Sequence, residues 1–575
     1  MYLKEYCNKN TQFRCLNFCL FLLFLSCLFA KANAADSTLH FTHQDSLRGS
    51  LNPARSCYDV YYYHLNIIVD PGRQTVTGIC TISFLVKSKT DSIQVDLFSN
   101  YKVLGVRYDS NWTNFVRYGD HIFVHFSHAL NVGEKYNIDV HYTGNPPIAK
   151  KAPWDGGFIW GKDSLDRTWV GVACEGLGAS SWWPCKDHLS DKPDSMAISI
   201  QVPEGYFCVS NGQLRTINNM YSGYNQYNWF VTYPINTYDV TLNIGKYERI
   251  HDTFQSKAGI LALDYFVLDY HVKQAEAYFS KQVKPMLRCF EHYFGPYPFT
   301  RDGYGLVETS YWGMEHQGAI AYGNHFMLNG NDFDFIIVHE SAHEWWGNSL
   351  SVNDQAEMWL HESFATYAES LYLEYTKGKK AAQEYLDTQR NLVQDKIPLI
   401  GHFGVNEYKR ADNDIYYKGA WMLHTFRAVI NNDSLWFNIL YSFQEKYKYR
   451  NITSRDFIDF VNSKTGKNYD AFFDQYLTQA DLPVLSFNAE QRGTSIELLY
   501  YWKGTVPKFT MPVDINIKGN IFRIYPLEKE KKLKISPKQL TNLTEGKIPV
   551  AQDANVDFDH YLIEIVQTVP SNIMY

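Results

Sequence analysis

The sequence predicts a multidomain α+β chain built in the order β, α, β. Three observations predict it. Apolar and polar residues alternate from about Ser56 to Ile250, helical spacing takes over from about Tyr270 to about Leu477, and alternation returns after Ala480-Asp481-Leu482-Pro483. At 575 residues there is room for about three domains of roughly 100–200 residues each. The composition, 45% apolar and 20% charged, is that of a globular chain, and the 16% aromatic content suits half-buried β surfaces and aromatic-lined clefts. A net charge of −7 with no Lys/Arg-rich run argues against a nucleic-acid partner.

The first element is a leader. Lys4, Lys9 and Arg14 precede an apolar run from Cys15 to Ala30, and Ala32-Asn33-Ala34 supplies a small-residue cleavage site. The apolar run is short for a span of about 20 residues. Residues 1–34 therefore read as a signal peptide cleaved after Ala34, and the mature chain as periplasmic or extracellular. Cleavage removes Lys4, Lys9, Arg14, Lys31 and Glu5 and takes the charge from −7 to −10. No later segment is long and apolar enough to span a bilayer, so no membrane attachment is expected after cleavage. Six cysteines remain (Cys57, Cys80, Cys174, Cys185, Cys208 and Cys289), and their spacing matches no zinc or redox motif. They read as buried structural thiols.

The second element, residues 36–250, is antiparallel β by its pattern. Tyr61–Val69, Ile82–Val86 and Met196–Val202 alternate, and Gly144-Asn145-Pro146 marks a turn. In the third, residues 251–480, His271–Phe294 has helical spacing and stops at Gly295-Pro296. In the fourth, residues 481–575, Ile496–Trp502 and Met511–Ile517 alternate again and predict a small β-sandwich.

Chemistry concentrates in the helical part. His339-Glu340-Ser341-Ala342-His343 is an H-E-x-x-H motif following an apolar run, Phe335 to Val338. On a helix the two imidazoles lie one turn apart on one face and can share one ion, with Glu340 beside it as a base and not a ligand. Catalytic zinc takes three protein ligands and leaves one position open. Glu362, after a gap of eighteen residues, opens an apparent second helix to Tyr375. Two helices joined by a short loop would bring it to the histidines as third ligand. His361 faces elsewhere on that helix and reads as a surface or supporting residue.

H-E-x-x-H, eighteen residues, then Glu within Trp359-Leu360-His361-Glu362-Ser363-Phe364-Ala365 resembles the aminopeptidase N family of gluzincin zinc peptidases, which includes leukotriene hydrolase. The chain is similar to a short, bacterial-type exported member. Trp312-Gly313-Met314-Glu315-His316 looks like the family's G-x-M-E-N exopeptidase motif. Met314 and Glu315 match its M and E and Gly313 stands at its variable position, while Trp312 replaces the first Gly and His316 the Asn. Tyr416-Tyr417-Lys418-Gly419 resembles Y-x-K-G, with Tyr416 as the catalytic phenol. Glu175, in Cys174-Glu175-Gly176, resembles the position where the family places an acid or amide near the substrate amine. The resemblance implies an N-terminal β saddle, a thermolysin-like catalytic domain, one Zn2+ per chain, and a C-terminal β domain with no room for the large helical domain of longer relatives.

The implied reaction is removal of N-terminal residues from peptides. Glu340 serves as general base, Tyr416 stabilises the oxyanion, and Glu315 and Glu175 bind the free ammonium by charge-assisted hydrogen bonds. Glu369, two turns past Glu362, is placed to orient a ligand histidine, and Lys418 to lower the Tyr416 pKa. Three rival readings are a thermolysin-type endopeptidase, an epoxide hydrolase of the leukotriene type, and a non-catalytic binding scaffold on the same fold. Glu315 in its motif argues against the first, the absence of a lipid-specific cue against the second, and the intact ligand set with Glu340 against the third.

Overall fold

The computed structural model describes residues 41–407, 410–540 and 550–567. The leader read over residues 1–34 lies outside them. Between Tyr58 and Val231 ten strands form one sheet. The alternating segments of the sequence fall inside strands Tyr58–Asp70, Thr75–Val86 and Ser195–Pro203, and their inward residues (Leu65, Ile67, Ile82, Phe84, Ile198 and Ile200 among them) are buried. The pairing is not antiparallel throughout. Tyr58–Asp70 runs antiparallel to Thr75–Val86 but parallel to Ser195–Pro203, with Leu65 opposite Ile198. More than a hundred residues separate that second pair, far beyond the dozen or so that a crossover between parallel strands requires. A four-stranded sheet, in the order Phe207–Ser210, Leu242–Gly245, Thr168–Ala173, Gly157–Lys162, belongs to the same region.

A five-stranded sheet that the period-two reading did not find follows. Its order is Tyr247–Ser256, Gly259–Leu268, Tyr304–Glu308, Ile320–Tyr322 and, at the edge, Gly313–Met314. Both pairings of Tyr304–Glu308 are parallel. Its residues are buried on both faces, so no polar alternation marks it in the sequence. The sheet divides two cores. Leu263, Tyr265, Leu306 and Ile320 face the helical core, whereas Phe266, Leu268, Val307 and Ala321 face the N-terminal β core. This is the two-residue alternation of a pleated strand.

The helices pack on one side of that sheet. Helix α1 (Val272–Phe294) ends at Gly295, whose φ of 99° supplies the left-handed stop. Helix α2 (Phe335–Ala342) starts at Asp334, which accepts from the Ile337 N–H. Helices α3 (Trp359–Lys377), α4 (Lys379–Arg390) and α5 (Tyr417–Ile430) follow, and further helices run to Asp470–Thr478. After them a four-stranded and a three-stranded sheet carry the predicted strands Ser495–Lys503 and Val513–Ile517. Their buried side chains, such as Leu498 and Ile515, continue the helical core without a break. The architecture is thus multidomain α+β, β-rich first and helical in the middle. Among the described residues, no helix is long and apolar enough to cross a membrane, and the six cysteines are all buried and unpaired.

Candidate metal-dependent active site

Helix α2 is short and almost wholly buried, and it carries His339 and Glu340. His343 is the first residue beyond its end, still with helical φ and ψ of −62° and −23°. Glu362 lies in the first turn of α3, which begins three residues earlier than the pattern suggested. The link between the two helices is no short loop. It spans residues 343–358 and includes strand Leu350–Val352, and stacking of Trp346 on Phe364 at 3.8 Å clamps it to α3.

The result is a convergent donor set. Glu362 Oε2 lies 3.5 Å from His339 Nε2 and 3.6 Å from His343 Nε2. These distances are too long for good hydrogen bonds. They match the spacing of about 3.4 Å between tetrahedral ligands with bonds of about 2.1 Å to one zinc ion. The Oε2 atom is buried without any hydrogen-bond partner, a costly state for a carboxylate unless a cation completes it. Each histidine turns its other nitrogen to an acceptor. His339 Nδ1 donates to Glu369 Oε1 at 2.6 Å, and His343 Nδ1 to the Trp346 carbonyl at 2.9 Å. Both rings thereby present the Nε2 lone pair to the shared point. Two imidazoles and a carboxylate are the donor chemistry of catalytic zinc.

Glu369 is locked in turn by the Tyr385 hydroxyl and by Gln389 Nε2 at 3.1 Å, both from α4. His361 is not a surface residue. It is buried, and its Nε2 accepts from the Val352 N–H at 3.1 Å, which ties α3 to the linking strand.

Glu340 lies against Gly313. A Cβ at that glycine would sit 2.4 Å from Glu340 Oε1, so any larger residue there would push the carboxylate aside where the edge strand passes it. Burial pushes Glu340 up to about 7, with His339 and His343 pulling the other way. Met314 is buried in the N-terminal core and fixes the strand. Glu315, the next residue, brings its carboxylate within 4.8 Å of Glu340 and His343, and also of Glu175 and Glu362. Its Oε1 accepts from the Tyr238 hydroxyl at 3.2 Å, and Asn348 Nδ2 donates to its carbonyl at 2.8 Å. Glu175 arrives from the turn after strand Thr168–Ala173, in the N-terminal part of the chain. Burial raises the pKa of both acids, reinforced at Glu175 by the nearby Glu315 charge and at Glu315 by Glu362.

Tyr416 stands just before α5, its ring 6.1 Å from that of His339. Gly419 explains how it is held. A Cβ there would fall 1.7 Å from Ser363 Oγ, so the glycine lets α5 press directly onto the ligand helix α3. Ser363 Oγ donates to the Ile415 carbonyl at 2.6 Å, which pins the residue before Tyr416 to the residue after Glu362. Lys418 does not act on the phenol. Its ammonium pairs with Asp395 at 3.0 Å and with carbonyls of Gln479 and Ala480. Burial, followed by the charges of Glu362, Glu175, Glu315 and Glu340, instead raises the Tyr416 pKa well above its ordinary value.

All nine predicted site residues line or border one cavity of about 820 Å3. Sequence reasoning missed Tyr238 and Ser363, which hold Glu315 and Tyr416. No local signal marks them, since each acts on a residue that only the fold brings near.

An H-E-x-x-H helix, a following helix that supplies glutamate, and a β edge beside both form a metal-site architecture of the zinc-peptidase kind. The particular family follows from two matches. Residues 59–238 match the peptidase M1 N-terminal domain and residues 278–476 the peptidase family M1 domain, together more than half of the chain. The protein belongs to peptidase family M1, as the resemblance implied. It is 23% identical over 385 residues to a leucyl aminopeptidase of Saccharolobus solfataricus, covering 63% of this chain and 48% of that one. It is also 23% identical over 412 residues to the human endoplasmic reticulum aminopeptidase 1, covering 68% and 43%. The chain thus spans about half the length of the curated relatives it matches. An M1 zinc metallopeptidase of Deinococcus radiodurans, solved with a Tyr-Ser-Ala substrate, shares its fold with a TM-score of 0.64 at 21% identity, over 75% of this chain and 96% of that one.

Proposed function

We propose that this protein is a zinc-dependent aminopeptidase that removes single residues from the free N-termini of peptides, and that it works outside the cytoplasm after export. The observation that carries the activity is the placement of Glu175 and Glu315 beside the His339–His343–Glu362 donor set. Metal donors and a base alone suit cleavage anywhere along a peptide. A buried acidic pair next to them suits a substrate that ends in a positive charge. The names of the relatives and the amino-terminal leader pattern support the same reading.

His339, His343 and Glu362 would hold the zinc, which when bound polarises the scissile carbonyl and acidifies water. The chain's own residues supply the rest. Glu315 and Glu175 bind the ammonium and set the first peptide bond beside Glu340, so attack becomes effectively intramolecular. Glu340 takes a proton from the attacking water and returns it to the leaving amine. With its pKa raised, the Tyr416 phenol stays protonated and can donate to the developing oxyanion. The test is a pair of fluorogenic peptides that differ only in N-terminal acetylation, assayed with and without a chelator. Chelator-sensitive cleavage of the free peptide alone is expected. Equal cleavage of both would mark an endopeptidase, and no cleavage of either a binding scaffold.

A further inference from the structure

One departure from the family motif remains unexplained by this chemistry. Trp312 occupies the place of a glycine, its ring is 45% exposed, and it lines the catalytic cavity. It sits in the bend before strand Gly313–Met314, so its side chain is free of the strand's alternation. It stacks on Phe335, with ring centroids 5.4 Å apart and planes 26° from parallel. Phe335 stacks in the same way on His339, at 5.4 Å and 21°. On the other side Trp154, 66% exposed and on the same cavity wall, faces Trp312 at 6.2 Å. An aromatic row thus leads outward from a metal-site histidine, and its two outer members present their rings to solvent.

Two reference points locate this row relative to the bond that is cut. Along the chain the order is Glu315, Met314, Gly313, Trp312. Glu315 marks the amine end and Gly313 touches Glu340, the base, so Trp312 lies beyond the scissile bond. On helix α2, Phe335 is one turn before His339, while the acidic pair gathers around His343 and Glu362. Both put the aromatic row at the end of the cavity away from the ammonium. The side chain entering there belongs to the leaving peptide.

We propose that Trp312, backed by Phe335 and faced by Trp154, forms a specificity site for an aromatic or large apolar side chain at the second position of the peptide. The proposal rests on the aminopeptidase reading and deepens it. Offset stacking between such a side chain and Trp312 covers apolar ring surface that is otherwise wet, which glycine at 312 cannot do.

The experiment uses the zinc-loaded full chain and tripeptides Leu-Xaa-Ala in which Xaa is Phe, Leu, Gly or Asp, with products separated by chromatography. The expected kcat/KM for Phe exceeds that for Gly by about tenfold, mostly through KM. In Trp312→Gly the ratio should fall towards one, in Trp154→Ala it should fall part of the way, and in Trp312→Phe it should persist. A wild-type ratio near one, or a ratio unchanged in both Trp312→Gly and Trp154→Ala, overturns the proposal. Trp154 lies in an exposed turn, so its variant carries the test if Trp312→Gly does not fold. If no tripeptide is cleaved, the aminopeptidase reading fails by itself. Calorimetric affinities for the same tripeptides then decide this site, and equal binding of the Phe and Gly peptides sinks it.

Discussion

Two of the buried clusters of carboxylates and histidines in the molecule are treated oppositely. In the N-terminal β region, Asp96 is fully buried and every acceptor is used. Arg55 Nη2 donates to its Oδ2 at 2.7 Å, and His121 Nδ1 and Gln94 Nε2 both donate to its Oδ1 at 2.7 Å. The Asp187 N–H completes Oδ2 at 3.1 Å. In the cavity, Glu175, Glu315, Glu340 and Glu362 crowd together, among the described residues no arginine or lysine forms an ion pair with any of them, and Glu362 Oε2 has no hydrogen-bond partner there. The first cluster is closed by the chain itself and stabilises the fold. The second is left open, and under the proposed function a cation and an ammonium complete it. What separates structure from function here is the unmade interaction and not the residue types.

The comparison breaks first at Glu340. Glu340→Gln should lower kcat by about 10³- to 10⁴-fold while metal analysis still finds near-stoichiometric zinc. Loss of the metal would instead make Glu340 part of the structural set. Next comes the closed cluster. Arg55→Ala leaves Asp96 buried and uncompensated and should destabilise folding by about 3–5 kcal/mol in denaturant titration, with kcat per folded molecule unchanged. A fall in kcat would tie the two regions together. Tyr416→Phe should then cost about 10²- to 10³-fold in kcat with little change in KM. A pure rise in KM would move the phenol from oxyanion stabilisation to substrate binding.

The smallest effect is a pH dependence of stability. Burial raises the Asp96 pKa, but Arg55, His121 and Gln94 outweigh it and hold the group at about 2, against 3.8 for the free side chain. The folded value is depressed. The stabilisation is therefore complete above about pH 4, and about 2 kcal/mol of it disappears as pH falls through 2. Thermal melts of wild type and Asp96→Asn between pH 2 and 6 check this, and parallel curves would show that Asp96 does not carry the acid sensitivity.

Much of this was legible before any coordinates. The long half-buried strands near Tyr61 and Ile82 announce themselves because one face is wet, and α1 because its stripe repeats at 3.6 residues and ends at Gly295. The inner part of the five-stranded sheet was not legible, since Tyr304–Glu308 and Ile320–Tyr322 are buried on both faces and show no polar alternation, and Gly313–Met314 is too short to show a period. The pairing of His339 with His343 is a local fact, one helical turn. Glu362 followed from the eighteen-residue gap and the second helix, whereas Glu315, Tyr416 and Glu175 came from resemblance, not from spacing.

The sequence by itself determined the residue types, the register of the H-E-x-x-H turn and the β, α, β order, because these depend on interactions between neighbours in the chain. Only the tertiary structure decided that Glu175 meets Glu315, that Ser363 and Gly419 set Tyr416 over the cavity, that Lys418 turns away, and that Trp312 stacks outward on Phe335. Each of those depends on two distant segments closing on one another, and the contacts that select such closures are made only once both cores have packed.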